Sequence, residues 1–447
     1  MVDKLLIANR GEIVNRIMDT CDAMGIQTVA VYSEADRDMP YLDRAHDAVR
    51  IGPANPVQSY LNIEALLDAA DRTGADSVHP GYGFLSERGA FAEAVEKAGL
   101  TWVGPSSSVL RSISSKCHCR SLAQGADVPV IPGTLSPVAE AGEIVAYGRK
   151  NGWPVYLKLD KGGGGKGIER IDSEARAGEV FQRARRIGEM AFGSGACYIE
   201  EVVDRPRHIE VQFLADGHGH CICLGERECS IQRRHQKIIE EAPSVAVTTE
   251  ERLRLYDHVR RIVQKMGYVG AGTIENLRDR DGNYYFMEIN ARLQVEHPVT
   301  EFLTGMDIVQ WQLRIAAGQS LDVRQEDVAL TGHAVEARVY AEDPETFMPS
   351  PGRISALELP RDHEGVRIDH ALKNGGSIPP YYDPLLAKVI AWGRDRSQAV
   401  ARLQKALAQM RIEGVRSTID TGLRILAQPR FIEGEIDTGF FDEWIKT

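Results

Sequence analysis

Residues 273–298, "TIENLRDRDGNYYFMEINARLQVEHP", hold the densest set of side chains able to do chemistry. Asp281-Gly282 is a hairpin turn signal, so Glu275 and Glu288 fall on paired antiparallel strands with their carboxylates on one side. Asn290, two positions beyond Glu288, shares its face. Two carboxylates and an amide oxygen, completed by nucleotide phosphates, suit magnesium; solvated or salt-bridged carboxylates are the structural alternative. Arg292, Gln294 and Glu296 then alternate on one face, a bidentate clamp for a small planar oxyanion with a base beside it. Upstream, "ERECSIQRRHQKIIEEAP" adds Arg233, Arg234, His235 and Lys237, either an anion site or a charged surface loop.

A second stretch, "LKLDKGGGGKGIERI" at residues 157–171, sets Gly162, Gly163, Gly164 and Gly165 among Lys158, Lys161 and Lys166. Four glycines suit a backbone that must bend freely or let a ligand approach its amides. Gly167 follows Lys166, so the hydroxyl of a P-loop is missing. A dinucleotide fingerprint needs a helix directly afterwards, whereas "GIERI" reads as a strand. A mobile hairpin whose amides close over phosphates fits the pattern, and a disordered surface loop is the alternative.

The elements that must position these residues are those of a globular enzyme. A length of 447 residues predicts roughly two to four domains. With 64 acidic and 53 basic residues the net charge is −11, which disfavours nucleic acid and anionic membranes as nonspecific partners. No apolar run approaches the roughly 20 residues of a membrane span, and the start "MVDKLLIANRGEI" lacks a signal-peptide core, so a cytoplasmic location is expected. Seven cysteines suit a reducing compartment. Cys117, Cys119, Cys221, Cys223 and Cys229 lack the two-residue spacers usual for zinc and read as buried or idle thiols.

"KLLIANRGEIVNRIMDTCDAMGIQTVAVYS" reads as strand, helix, strand, and further such units follow. Residues 1–103 therefore form a doubly wound α/β domain, with "HPGYGFLSE" beyond the Asp76–Val78 strand where ligands sit in such sheets. A helical linker at 104–130 leads to a small α/β unit at 131–203 that carries the glycine hairpin. Residues 204–447 form a larger, strand-rich α+β domain, and "SQAVARLQKALAQMRIEG" is an amphipathic helix with Val400, Leu403, Leu407 and Met410 on one face.

Together the hairpin, the paired acids and the cationic cluster resemble the ATP-grasp superfamily. "IANRGEI", "HPGYGFLSE", "RRHQKIIEEAP", "GAGTIE", "FMEINARLQVEHPVTE", "TGHAVEARVYAEDP", "PSPG" and "PPYYDPLLAKVIAWG" are similar, in order and spacing over essentially the whole chain, to the motifs of biotin carboxylases. The resemblance implies an N-terminal doubly wound domain plus an ATP-grasp fold. It implies that ATP phosphorylates bicarbonate and that carbon dioxide released from carboxyphosphate is captured by biotin on a carrier protein. By the same likeness Lys116, Lys158, His208, Gln232, His235 and Leu277 would bind ATP, Glu200 and the adjoining backbone would contact its adenine, and Gly162 to Gly165 would form its lid. Glu275, Glu288 and Asn290 would hold Mg2+ or Mn2+. Lys237, Arg292, Gln294 and the Val295 amide would position bicarbonate, with Glu296 as its base. Arg338 would stabilise the enolate-like oxygen of biotin, with Tyr82 nearby; pairing of Arg338 with Glu336 or Asp343 is the structural alternative.

Several positions depart from the family pattern. Ser115 precedes Lys116 where an acid is usual, "LDK" precedes the glycines, and Lys166 and Ile168 replace an arginine and a methionine. The sequence contains no Met-Lys-Met biotinyl motif and no carboxyltransferase region, so a biotin carboxyl carrier protein and carboxyltransferase subunits are the expected partners. The family likeness also implies a homodimer. Acyl-CoA, pyruvate and other final acceptors are all compatible. Another ATP-grasp carboxylate–amine ligase and a non-catalytic nucleotide-binding subunit are the rival readings.

Overall fold

Leu5, Leu6 and Ile7 are fully buried in a run without alternation, as a strand covered on both faces requires. In the computed structural model, which describes residues 2–162, 167–360 and 364–445, this strand, Lys4–Ile7, is the centre of a five-stranded parallel sheet. Its neighbours are Gln27–Ser33 and then Asp47–Gly52 on one side, Ser77–His79 and then Thr101–Trp102 on the other. The expected doubly wound N-terminal domain is present. Its fourth strand lies one residue later than the sequence suggests. Just beyond it, Asn9 Nδ2 donates to the carbonyls of Pro80 and Tyr82, each at 2.7 Å. Gly81 has φ +62°, and a Cβ there would meet Asn9 Nδ2 at 2.8 Å, so this loop requires glycine.

The linker is the helix pair Ser107–Ile113 and Lys116–Gln124. In the small unit, strand Val155–Leu159 pairs antiparallel with both Ile168–Ile171 and Cys197–Glu201. The two strands expected on either side of the glycine run are thus observed, and Glu174–Phe192 packs its Ala177, Val180, Phe181 and Ala184 onto the same core as Leu157 and Ile199.

Gly352–Arg353 with Ser377–Ile378 and Ala356–Glu358 with Arg411–Glu413 form two small two-stranded sheets, and eight further strands form one sheet in the order Tyr284–Asn290, Gly270–Arg278, Arg207–Ala215, Cys221–Arg233, Gln236–Ala242, His333–Tyr340, Leu385–Gly393, Val366–His370. Every neighbouring pair is antiparallel. Period-two alternation sorts its side chains: Ile209, Val211 and Phe213 enter the apolar core shared with helix Thr249–Met266, while His208, Glu210 and Gln212 face the other way. The C-terminal amphipathic helix spans Arg396–Gln409 and buries Val400, Leu403 and Leu407, with Met410 buried at its cap. Cys117 and Cys119 lie on a helix, and all seven cysteines are free thiols. Among the described residues no helix is long and apolar enough to cross a membrane.

Candidate active site

Strand register builds the site. Glu288 stands opposite Glu275, Glu275 opposite Glu210, and Glu210 opposite Arg227, one row of charge across four strands. Asn290 stands opposite Thr273, on the same face as Glu288. Lys237, from the next strand, reaches over the row: its Nζ lies 2.5 Å from Glu210 Oε2, 3.0 Å from Glu275 Oε1 and 2.6 Å from Glu296 Oε1. His208 Nε2 is 3.0 Å from Glu275 Oε2, and its Nδ1 is 2.7 Å from Gln232 Nε2. Arg227 is fully buried and donates to Glu210 at 2.5 Å, Gln212 at 2.8 Å and Thr300 at 2.9 Å.

Burial pushes the Glu275 carboxyl up, but Lys237 and His208 outweigh it and hold Glu275 well below the usual carboxylate range. Glu296 is likewise raised by burial and pulled well below that range by Lys237, Arg338 and Arg227. Burial disfavours the Lys237 ammonium, yet Cys229 and the three carboxylates keep it firmly protonated.

The row continues into a second charged patch. Arg338 Nε donates to Glu240 Oε1 at 2.6 Å, and its Nη2 to Glu296 Oε2 at 2.9 Å. The partners expected for a purely structural Arg338 were Glu336 or Asp343, but Asp343 pairs with Arg416 at 2.8 Å. Neither oxygen of the fully buried Glu336 has a hydrogen-bond partner among the described residues. Burial raises Glu240 to about 7, against the pull of Arg338, and raises Glu336 well above its ordinary range despite Lys388.

Arg292, Gln294 and Glu296 do not alternate along a strand, because the strand ends at Asn290 and Glu296 caps helix His297–Thr304. Arg292 turns back to donate to Asn290 Oδ1 and Gln294 Oε1, both at 3.3 Å, and stands 3.5 Å from Glu87. Glu296 instead lies between Lys237 and Arg338. The bend thereby sends Arg292 towards Asn290 and Gln294 and Glu296 towards Lys237 and Arg338. Tyr82 donates to Glu12, and burial with that carboxylate raises its phenol well above the usual range.

Facing the row from the small unit and the linker are further cations. Lys116 pairs with Glu288, which keeps the half-buried ammonium charged, with a pKa raised to about 12. Lys158 and Arg120 both bind the buried carboxylate of Glu200, whose main chain pairs with Tyr156 and Gly133. His235 and Arg234 form the tight turn between Arg233 and Gln236, both at positive φ without the glycine such turns favour. Burial and Lys158 lower the His235 pKa. Leu277 stands opposite His208 on the neighbouring strand. Gly163 to Gly165 and Lys166 lie outside the described residues. At the hairpin's base Leu159 N donates to Gly167 O at 3.0 Å, and a Cβ on Gly167 would lie 2.2 Å from Leu159 Cδ1.

Two departures from the family pattern turn out to be partners. Ser115 Oγ donates to Asp160 Oδ1 at 2.9 Å, the Cys117 amide to the same oxygen at 2.8 Å, and the Lys116 amide to the Asp160 carbonyl at 3.0 Å. The carboxylate missing before Lys116 is supplied across the gap, from the strand end that begins the glycine hairpin.

Glu210, Arg227, Glu240, Arg120 and Lys388 were not anticipated. The signal for Glu210 was present: "HIEVQ" alternates polar and apolar positions, so Glu210 had to share a face with His208. Nothing in "GERECS" indicates that Arg227 is buried.

The family models "Biotin carboxylase, N-terminal domain", "Carbamoyl-phosphate synthase L chain, ATP binding domain" and "Biotin carboxylase C-terminal domain" match residues 1–110, 115–324 and 336–443. Biotin carboxylase 2 of Bacillus subtilis is 45% identical over 443 residues, 99% of this chain and 100% of that protein. The chain belongs to the biotin carboxylase family. The structure of the Campylobacter jejuni biotin carboxylase–β-γ-ATP complex matches with a TM-score of 0.97 at 40% identity, over 99% of each chain. The Hydrogenobacter thermophilus 2-oxoglutarate carboxylase biotin carboxylase domain dimer, with MgADP, ADP and bicarbonate, matches with a TM-score of 0.96 at 41% identity, over 99% of this chain and 98% of that one. The protein therefore has the biotin carboxylase architecture, with its ATP-grasp unit between the N-terminal and C-terminal domains, and is an ATP-dependent ligase that carboxylates biotin.

Proposed function

We propose that ATP phosphorylates bicarbonate on the charged row, that the resulting carboxyphosphate breaks down to carbon dioxide and phosphate, and that the phosphate takes the ureido N–H proton of biotin on a separate carrier protein, whose nitrogen then captures the carbon dioxide. The observation that carries this reading is the placement of Glu296, a fully buried carboxylate with one oxygen 2.6 Å from Lys237 and the other 2.9 Å from Arg338. Such a group is ionised and sits between two cations able to receive an anion. Bicarbonate is held by Lys237, Arg292, Gln294 and the Val295 amide. As it enters, it takes up part of the cations' charge, so Glu296 becomes more basic where the bicarbonate proton must go. Arg338 then faces the oxygen that becomes negative when biotin loses its proton, with Tyr82 beside the ring.

Glu275, Glu288 and Asn290 offer the hard oxygen donors magnesium takes, and the two carboxylates lie side by side in register. The metal would hold ATP phosphates and spread their charge during transfer. Lys116, His208, Gln232, His235 and Leu277 line the ATP side, with Gly162 to Gly165 as its lid. Glu200 is better read as holding Lys158 towards the phosphates than as an adenine contact, since its carboxylate is shared by Lys158 and Arg120. The homodimer, the carrier and the carboxyltransferase subunits belong to the same reading, supported for the dimer by the Hydrogenobacter domain, itself a dimer. Free thiols throughout fit a cytosolic enzyme.

The test is ATP cleavage by the purified protein with magnesium. It should require bicarbonate and rise when free biotin is added, with carboxybiotin as product. Cleavage that ignores bicarbonate but responds to an amine and another carboxylate would assign the site to the other ligase class.

A further inference from the structure

Lys388 is the least expected charge in the molecule, a lysine with no solvent exposure. It stands opposite Arg338 on one neighbouring strand and Asp369 on the other, so its ammonium is delivered to the charged face by register. A buried ammonium persists only where its three protons find acceptors. Its Nζ donates to the Val295 carbonyl at 2.9 Å and lies 3.3 Å from Glu12 Oε1 and 3.4 Å from Asp369 Oδ2.

Each neutral or charged partner leads to a different part of the site. The Val295 carbonyl belongs to the peptide that carries the Glu296 amide, so fixing it fixes where the Glu296 side chain begins. The preceding peptide is pinned independently: the Gln294 carbonyl lies 2.7 Å from His297 Nδ1 and accepts the His297 amide at 3.3 Å. Glu12, on the first turn of helix Glu12–Met24, accepts the Tyr82 hydroxyl. Asp369 is itself held by Arg367, at 2.6 Å, and so anchors Lys388 from behind.

We infer that Lys388 is a positioning residue for both halves of the reaction, setting Glu296 through the Val295 carbonyl and Tyr82 through Glu12. This rests on the assignment of Glu296 to bicarbonate and Tyr82 to biotin. A single ammonium held in this way keeps the two pockets at a fixed separation, which a carbon dioxide transfer between them needs. A misplacement of about 1 Å in such a site costs on the order of 10²-fold in rate.

Lys388→Met tests the inference, with ATP cleavage measured over bicarbonate in the absence of biotin and carboxylation measured over free biotin. The expected result is a fall in kcat/KM for bicarbonate of roughly 10- to 100-fold and a raised KM for biotin, with the KM for ATP within about twofold of wild type. Glu12→Gln keeps the Lys388–Val295 bond and should raise the biotin KM while leaving the bicarbonate kinetics in place. A folded Lys388→Met enzyme with wild-type kinetics, or one whose ATP, bicarbonate and biotin constants decline together with its Tm, overturns the inference. Should Lys388→Met not fold, Glu12→Gln decides alone, and an unchanged biotin KM overturns it. Arg292→Ala separates this from the underlying reading: if it leaves the bicarbonate KM unchanged, the pocket assignment itself is wrong; if it raises that KM while Lys388→Met does not, only the role of Lys388 falls.

Discussion

The two ends of the charged sheet face use the same residue types and reach opposite electrostatic states. At one end Glu275 and Glu296, surrounded by Lys237, His208, Arg227 and Arg338, are held well below the usual carboxylate range. At the other, Glu240 rises to about 7 and Glu336 well above its ordinary range, because burial there outweighs Arg338 and Lys237 at Glu240 and Lys388 and Arg338 at Glu336, cations that serve other carboxylates as well. All four carboxylates are buried, so burial does not distinguish them; the cations in direct contact do. The contrast suits the two steps as proposed. On that assignment, binding magnesium and taking a proton from bicarbonate need ionised carboxylates, whereas stabilising deprotonated biotin needs charge on Arg338, of which a Glu240 raised to about 7 cancels less than a fully ionised carboxylate would.

The largest expected break is at the ionised end. Glu296→Gln keeps the shape and removes the basicity, so bicarbonate-dependent ATP cleavage should fall by roughly 10² or more while ATP binding survives. Retained cleavage would move the base elsewhere.

At the other end the effect is on pH dependence. Glu240 titrates near 7 in the folded protein against an ordinary 4.5, so between these values the folded state binds more protons than the unfolded state. This contribution to stability is therefore full below about 4.5 and is lost as pH rises through 7. Glu240→Gln abolishes the loss: the Tm of the variant, relative to wild type, should climb between pH 5 and pH 8. A constant difference would show that Glu240 is ionised throughout, and the contrast between the ends would collapse.

The smallest effect belongs to the hairpin base, away from both ends. Ser115→Ala removes the hydroxyl that accepts the His118 amide at 3.1 Å and donates to Asp160, a loss of about 1 kcal/mol by the usual scale of helix caps. The exchange Ser115→Asp with Asp160→Ser restores one carboxylate to the gap and should recover the Tm and the KM for ATP. Failure of the exchange to recover either would show that the two positions are not interchangeable.

Much of this was legible in the sequence because strand periodicity is simple. Glu275, Glu288 and Asn290 share a face by counting, and the strand after the glycine run follows from "GIERI". What could not be counted depends on where a strand stops. The alternation assigned to Arg292, Gln294 and Glu296 fails because the chain leaves the sheet at Asn290, and only the bend brings Glu296 to Arg338. Cross-strand neighbours distant in sequence were equally hidden. Lys388 and Arg338 are 50 positions apart and meet only through register, and the Ser115–Asp160 pairing joins a linker helix to another unit.

The central claim is that the two ends serve different steps, and Arg338 is where they meet. Arg338→Ala should be assayed for both half-reactions and for Tm in one preparation. The account predicts that carboxylation of free biotin falls by roughly 10² or more, on the scale of losing a preorganised charge partner. Biotin-independent, bicarbonate-dependent ATP cleavage should fall by less than about tenfold, since Lys237 and Arg227 still hold Glu296 ionised. Equal loss of both activities with a lowered Tm would contradict it, leaving Arg338 as a structural partner of Glu240 and Glu296.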